Sequence, residues 1–154
     1  MNPNAHKVVL VVAAIIEDAQ HRLLMVREAQ PEFYGLWNQP AGHVEANESI
    51  TDAFLREVKE ETGYDVRIDG IASIHHFVEA AVVRINFRAS LLGGKPSPLA
   101  DDILETGWFT REEVKCMIDE GKLRSTRTAL LIREWLQGDG EDKNLIKTIL
   151  ESTK

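Results

Sequence analysis

Residues 42–64 read GHVEANESITDAFLREVKEETGY, and this stretch decides how the rest of the 154-residue chain is read. From Glu48 to Thr62 it predicts a helix, with Gly63 as its C-terminal stop. At about 100° per residue, Ile50, Ala53, Phe54 and Val58 share one side, and the continuation of that stripe meets Glu57, Glu60 and Glu61. Glu48, Asp52 and Lys59 fall on or near the opposite side. A glutamate-rich helix is ordinarily a solvated face with i,i+4 pairs. Here the acids occupy the stripe that should pack inward. Gathered carboxylates raise one another's pKa and repel unless something positive sits among them. A hard divalent cation held by oxygens meets that need, and Mg²⁺ commonly takes a few carboxylates, several waters and substrate phosphates. Pro40, Ala41 and Gly42 bring the backbone sharply into the helix. Gly42 permits a close approach that a side chain would hinder, and its carbonyl offers another hard oxygen. Arg56 sits at the edge of the acidic stripe. A guanidinium there can hold a carboxylate through two hydrogen bonds, the plainer alternative being a surface arginine.

Outward from this segment, strand-like and helix-like stretches interleave. Lys7–Ile16 is a run of small and β-branched residues that reads as a strand buried on both faces. A turn at Glu17–His21 leads to a second short strand at Arg22–Val26, and the two are expected to form a hairpin. Leu36–Gln39 is a short extended piece ending at Pro40. Tyr64–Val78 and Ala80–Leu92 are β-rich, the second alternating at Val83, Ile85 and Phe87. A short strand surrounds Trp108, and Thr110 with Glu113 forms a capping box for a helix over Arg111–Glu120. Ser125–Leu136 reads as a further helix, and Asp139–Lys154 as loop with a final short helix. No repeat, low-complexity tract or dividing linker is present, so one domain of α/β or α+β class with a mixed sheet is expected over residues 1–154.

Composition is that of a globular domain, with 44% hydrophobic and 28% charged residues. The net charge of -7 disfavours nucleic acid and anionic membranes as partners, and it obliges a phosphorylated substrate to find local basic groups or a bridging cation. Cys116 is the only cysteine, so no internal disulfide or cysteine-based zinc cluster forms. No apolar run approaches the roughly 20 residues that span a bilayer, and Met1–His6 lacks the apolar core of a signal peptide, so a cytoplasmic location is expected.

The pattern from Gly42 to Tyr64 resembles the Nudix box of the MutT-like hydrolases. Gly42, Glu48, Arg56, Glu57, Val58, Glu60, Glu61 and Gly63 fill its defining positions, with Tyr64 at the last apolar one. Leu36–Gly42 resembles the strand and turn that feed the box, and Asp101–Phe109 the family's late strand, so the similarity covers residues 7 to 137. The resemblance implies a mixed β-sheet sandwiched between helices and hydrolysis of a nucleoside diphosphate linked to another group, with Mg²⁺ or Mn²⁺. It implies Glu57 and Glu61 as metal ligands and Glu60 as a further ligand or the group that polarises water. Gly42 would contribute its carbonyl, Arg56 would orient Glu57, and Glu48 would support the loop or reach a metal through water.

Residues outside the box carry weaker signals. Arg27, Trp37, His43, Asp102 and Arg124 are candidates for substrate binding, each against a plain alternative of surface or core. Glu105 is an alternative to Asp102 as an additional acid, and Arg124 and Ser125 precede a helix whose N-terminus would welcome phosphate. His75 and His76 are adjacent on a strand and point to opposite faces, so they cannot form one metal pair. LWNQPAGHVE together with Leu123-Arg124-Ser125 resembles a bacterial branch of the family. That branch acts as a phosphatase on nucleoside di- and triphosphates and on thiamine-precursor pyrophosphates. The expected partner is a small phosphorylated molecule, with the chain a monomer or homodimer. The competing reading is a Nudix-like module that binds a nucleotide without cutting it.

Overall fold

A computed structural model describes residues 1–138 and 145–151. The elements are β1 (Val9–Ile16), β2 (Leu23–Glu28), a 3-10 turn (Pro31–Phe33), β3 (Trp37–Asn38), β4 (Ala41–His43), α1 (Ile50–Thr62), β5 (Tyr64–Phe77), β6 (Val82–Gly94), β7 (Ile103–Phe109), α2 (Arg111–Asp119), α3 (Thr126–Gln137) and β8 (Ile146–Ile149). A five-stranded mixed sheet runs β4-β1-β6-β5-β8, and a three-stranded antiparallel sheet runs β3-β2-β7. In the larger sheet β1–β6 and β5–β8 are parallel pairs, and β1–β4 and β5–β6 antiparallel. The class is therefore α+β with a mixed sheet, as the sequence implies.

Two expectations need correction. β1 and β2 do not form a hairpin: they lie in different sheets, and among the described residues their backbone pairing is limited to an isolated Glu17–Leu23 bridge just beyond β1. Both edges of β1 are taken, one by β4 and one by β6, so β2 has no ladder to join. The expected final helix is also absent at 145–151, where Ile146, Lys147, Thr148 and Ile149 form β8 beside Ile74–Phe77. Residues 139–144 and 152–154 lie outside the described residues.

α1 begins at Ile50 because Ser49 caps it, its hydroxyl accepting the Asp52 N–H at 3.1 Å. It ends at Gly63, whose φ of 82° is the left-handed conformation that returns the chain into β5. Ala53, Phe54 and Val58 of α1 are buried against Val12, Ala14, Ile85 and Phe87, with the Phe54 and Phe87 rings 4.9 Å apart. A second core joins Leu23 and Met25 of β2 to Val114, Met117, Ile132 and Trp135 of α2 and α3. The Thr110–Glu113 capping box of α2 is present as expected. Cys116 is exposed and unbridged. Among the described residues no helix is long and apolar enough to cross a membrane.

Along β6 successive side chains alternate between faces. Ile85 and Phe87 join the core under α1, and Arg84 and Asn86 turn towards α3. On that second face His75 is fully buried, with its Nε2 2.9 Å from Oε1 of Glu134 in α3. Ser73 donates to Glu134 and accepts from Asn86, so α3 is pinned to the sheet by polar contacts. Burial pushes the Glu134 carboxyl up, but the hydrogen bond and charge of His75, with Lys147, hold it below the usual carboxylate range. A depressed folded pKa gives stability that is present above the unfolded pKa and lost as pH falls through the folded one. Glu134→Ala is expected to cost about 1–3 kcal/mol at pH 7 by urea unfolding, the gap narrowing under acid. A gap that stays constant with pH would mean the carboxylate's charge is not what holds α3.

Candidate active site

Where the chain enters and leaves β4, both faces of that edge strand meet charged side chains. Ala41, Gly42 and His43 pair with Ala13, Val12 and Val11 of β1. The Ala41 N–H donates to Oε2 of Glu61 at 2.9 Å, so the end of α1 is tied to the start of β4. A Cβ built on Gly42 would overlap the Glu57 carboxylate. Glycine thus lets the Glu57 carboxylate approach the backbone here, a matter of close approach rather than of its φ.

Arg56 ties the preceding loop to the helix. Its Nε and Nη2 donate to the two oxygens of Glu48 at 2.6 and 3.0 Å, and Nη2 reaches the His43 carbonyl at 3.2 Å. Its Nη1 lies between Glu57 (2.9 Å) and Glu60 (3.2 Å). Glu48 is thus not on the far side of the helix. It precedes the Ser49 cap, so its side chain is free of the helical period, and it folds back onto Arg56. Glu48 also accepts the Glu45 N–H at 3.0 Å, which braces the loop.

The carboxylates of α1 do not stand alone. Burial raises the Glu57 carboxyl, Arg56 opposes the rise, and the charges of Glu60 and Asp102 add to it, leaving the group above its usual range. Burial raises Glu61 well above its usual range, against the Ala41 hydrogen bond and with the charges of Glu57, Glu28 and Asp102. Glu61 is 8% exposed and Glu28 2% exposed. Five acids, Glu28, Glu57, Glu60, Glu61 and Asp102, therefore press on one another, from β2, α1 and the approach to β7. Among the described residues no three acidic, histidine or cysteine side chains are already drawn into a ready ligand group. Arg56 occupies the gap between Glu57 and Glu60, and Glu61 is held to the backbone of β4. The chemistry still fits a hard divalent cation: buried carboxylates with raised pKa values and too little positive charge to neutralise them. Gly42→Ala is expected to leave the fold intact, since only the end of a flexible Glu57 side chain must yield. It should lower kcat by on the order of a hundred-fold, the usual effect of a small misplacement, measured beside the melting temperature.

A cavity of about 440 Å³ opens beside β4 on the α3 side, lined among others by His43, Val11, Arg84, Arg124, Ser125 and Arg127. Two of the residues expected to bind substrate, His43 and Arg124, thus share it with Gly42. Arg124 donates to Glu28 at 2.9 Å and lies 4.4 Å over the Phe33 ring, so one ion pair links the cavity to the acidic cluster. Asp102 accepts from Gln30 at 3.2 Å and acts on Glu57 and Glu61 electrostatically. Arg27 and Trp37 are not among the cavity lining. Arg27 is spent on the Gly35 carbonyl and on Glu105, both at 3.1 Å. Trp37 packs edge-on against Phe109 at 4.7 Å beside the second core, the plain alternative for that ring. His75 and His76 point to opposite faces, His75 to Glu134 and His76 towards His6.

Three residues of the site escape sequence reasoning. Glu28 closes β2, beyond the strand expected at Arg22–Val26, and its neighbour Arg124 is 96 positions away. Arg84 and Arg127 look like ordinary surface arginines. The one available signal was Arg84 itself, a charge inside the apolar run VVRINF.

Comparison with known proteins identifies the family. The NUDIX domain model matches residues 7–131. The 8-oxo-dGDP phosphatase NUDT18 of Danio rerio is 36% identical over 105 residues, 66% of this chain and 32% of its own length. The chain thus spans about a third of that relative. Phosphatase NudJ of Escherichia coli is 32% identical over 132 residues, covering 83% of this chain and 84% of NudJ. A crystal structure of a NUDIX hydrolase from Nitrosomonas europaea superposes with a TM-score of 0.79 at 21% identity, over 96% of this chain and 82% of that one, which speaks for the fold. The chain belongs to the Nudix family.

Proposed function

We propose that this chain, as one Nudix domain over residues 1–154, hydrolyses a phosphoanhydride bond in a nucleoside di- or triphosphate or a related small pyrophosphate. Mg²⁺ or Mn²⁺ would be its cofactor. The observation that carries the reading is the pressing together of Glu57, Glu61, Glu28 and Asp102 beside Gly42, next to a cavity lined by arginines. The similarity to NudJ over most of both chains supports a phosphatase of small phosphate compounds.

Each residue has a part in this reading. Glu57 and Glu61 would hold the cation with the Gly42 carbonyl. Glu60, the most exposed of the three, is a further ligand or polarises the attacking water. Arg56 keeps Glu57 aligned and fixes the loop through Glu48 and His43. A bound divalent ion supplies positive charge to the phosphate oxygens and makes a bound water more acidic. His43 and Arg124, on the cavity side of β4, contact the substrate.

The test is release of phosphate and pyrophosphate from a panel of nucleoside di- and triphosphates, ADP-ribose, a dinucleoside polyphosphate and thiamine pyrophosphate, with Mg²⁺ or Mn²⁺ at mildly alkaline pH. Orthophosphate from several di- and triphosphates is the expected result. Pyrophosphate from one triphosphate, or cleavage of ADP-ribose alone, keeps the chemistry and removes the phosphatase assignment. No turnover of any compound makes a nucleotide-binding module the better reading.

A further inference from the structure

We infer that Arg84, Arg127 and the N-terminus of α3 form a second anion subsite, which takes a phosphate group of the substrate apart from the one placed at the acidic helix. A row of residues crosses the large sheet beside the cavity. His43, Val11, Arg84 and His75 are register partners on β4, β1, β6 and β5. This row puts Arg84 under α3, where it is 6% exposed, lines the cavity, and leaves its Nε without a hydrogen-bond partner. Among the described residues no carboxylate pairs with it, whereas a buried charge normally has a partner. The charges that act on it are of its own sign: burial, then Arg124 and Arg127, lower its pKa to about 10. It stays cationic at neutral pH, and the site is short of negative charge.

Three further features point to phosphate. α3 is a twelve-residue helix whose cap, Ser125, and first residues, Thr126 and Arg127, line the same cavity, and helix N-termini favour anions. The two phenylalanine rings of the cavity, Phe33 and Phe77, are covered by Arg124 and Arg127 at 4.4 and 4.6 Å. They present guanidinium rather than a bare face for a neutral base. Finally, Glu151 already holds Arg127 through two hydrogen bonds of 2.8 and 3.0 Å. A carboxylate of the chain thus stands where an external anion would bind, against the background of a net charge of -7.

The inference rests on the proposed hydrolase reading only for the origin of the phosphate. That phosphate is either the far end of a longer phosphate chain or a separate phosphomonoester. The test therefore avoids turnover: titration calorimetry in EDTA, with tripolyphosphate and ribose 5-phosphate as probes. The wild-type chain is expected to bind at least one of them. Arg127→Gln should weaken that binding by roughly tenfold or more, and Glu151→Gln should tighten it several-fold by removing the competing carboxylate. Arg84→Gln should weaken it likewise, and Arg127→Gln keeps the test valid should the buried Arg84 variant fail to fold. Binding of tripolyphosphate alone identifies a chain end, and binding of ribose 5-phosphate identifies a separate phosphomonoester. No binding of either probe, or equal binding by wild type and Arg127→Gln, overturns the subsite. A failed hydrolysis assay leaves these titrations untouched.

Discussion

Replacing Glu57 with Gln is expected to lower kcat on the order of a thousand-fold with little change in the fold. The substitution keeps shape and keeps an acceptor for Arg56, whose Nη1 lies 2.9 Å from the Glu57 carboxylate. What it removes is one negative charge at the centre of the acidic group. Glu57 is the carboxylate against which Gly42 packs, and it feels both Glu60 and Asp102. It therefore lies where the loop, the helix and the approach to β7 meet. A loss of turnover with unchanged circular dichroism and melting temperature in EDTA assigns the defect to chemistry. Full turnover by the variant would sink the proposed mechanism. Glu48→Gln is a useful contrast: it touches Arg56 and the loop, so it should disturb stability and KM more than the chemical step.

Much of this site was legible in the sequence because its parts are local. The acidic stripe, the glycine before it, Arg56 at its edge and the stop at Gly63 all lie within 22 residues, and helical periodicity relates them. The capping box at Thr110 is local in the same way. What could not be read depends on partners distant in sequence. The hairpin expected for β1 and β2 failed because the edges of β1 are filled by β4 and by β6, some seventy positions away, and no local signal announces that competition. Glu28 reads as a polar residue after a strand until Arg124 and the acids of α1 surround it. Arg84 sits in a strand whose alternation suggests that one face is wet. α3 covers that face, and its burial is a property of the packing. β8 is four residues of modest apolarity, too short for periodicity to separate strand from helix.

Glu61→Gln provides the sharpest separation between a carboxylate kept for a cation and one kept for the fold. Glu61 is almost fully buried, and among the described residues its one hydrogen bond comes from the Ala41 N–H. A Gln carbonyl can accept that bond equally well. Because burial and neighbouring acids raise the folded pKa, the folded state binds a proton more tightly than the unfolded chain. Stability then falls as pH rises from the ordinary carboxylate range through the folded pKa, and above that the full penalty persists. Gln carries no such penalty. In EDTA at pH 8 the variant is expected to melt several degrees above the wild type, at roughly 2–4 °C per kcal/mol for a domain of this size, and the two should converge near pH 4. Millimolar Mg²⁺ should reverse the order. A ligand at a hundred times its Kd stabilises by about 2.7 kcal/mol, and only the wild type retains the charge to hold it. Crossing of the two melting temperatures between EDTA and Mg²⁺ would show that α1 carries an unneutralised charge in wait for a cation. A variant less stable than wild type in both conditions would instead make Glu61 a structural strut between α1 and β4, and Glu57 would then have to hold the metal without it.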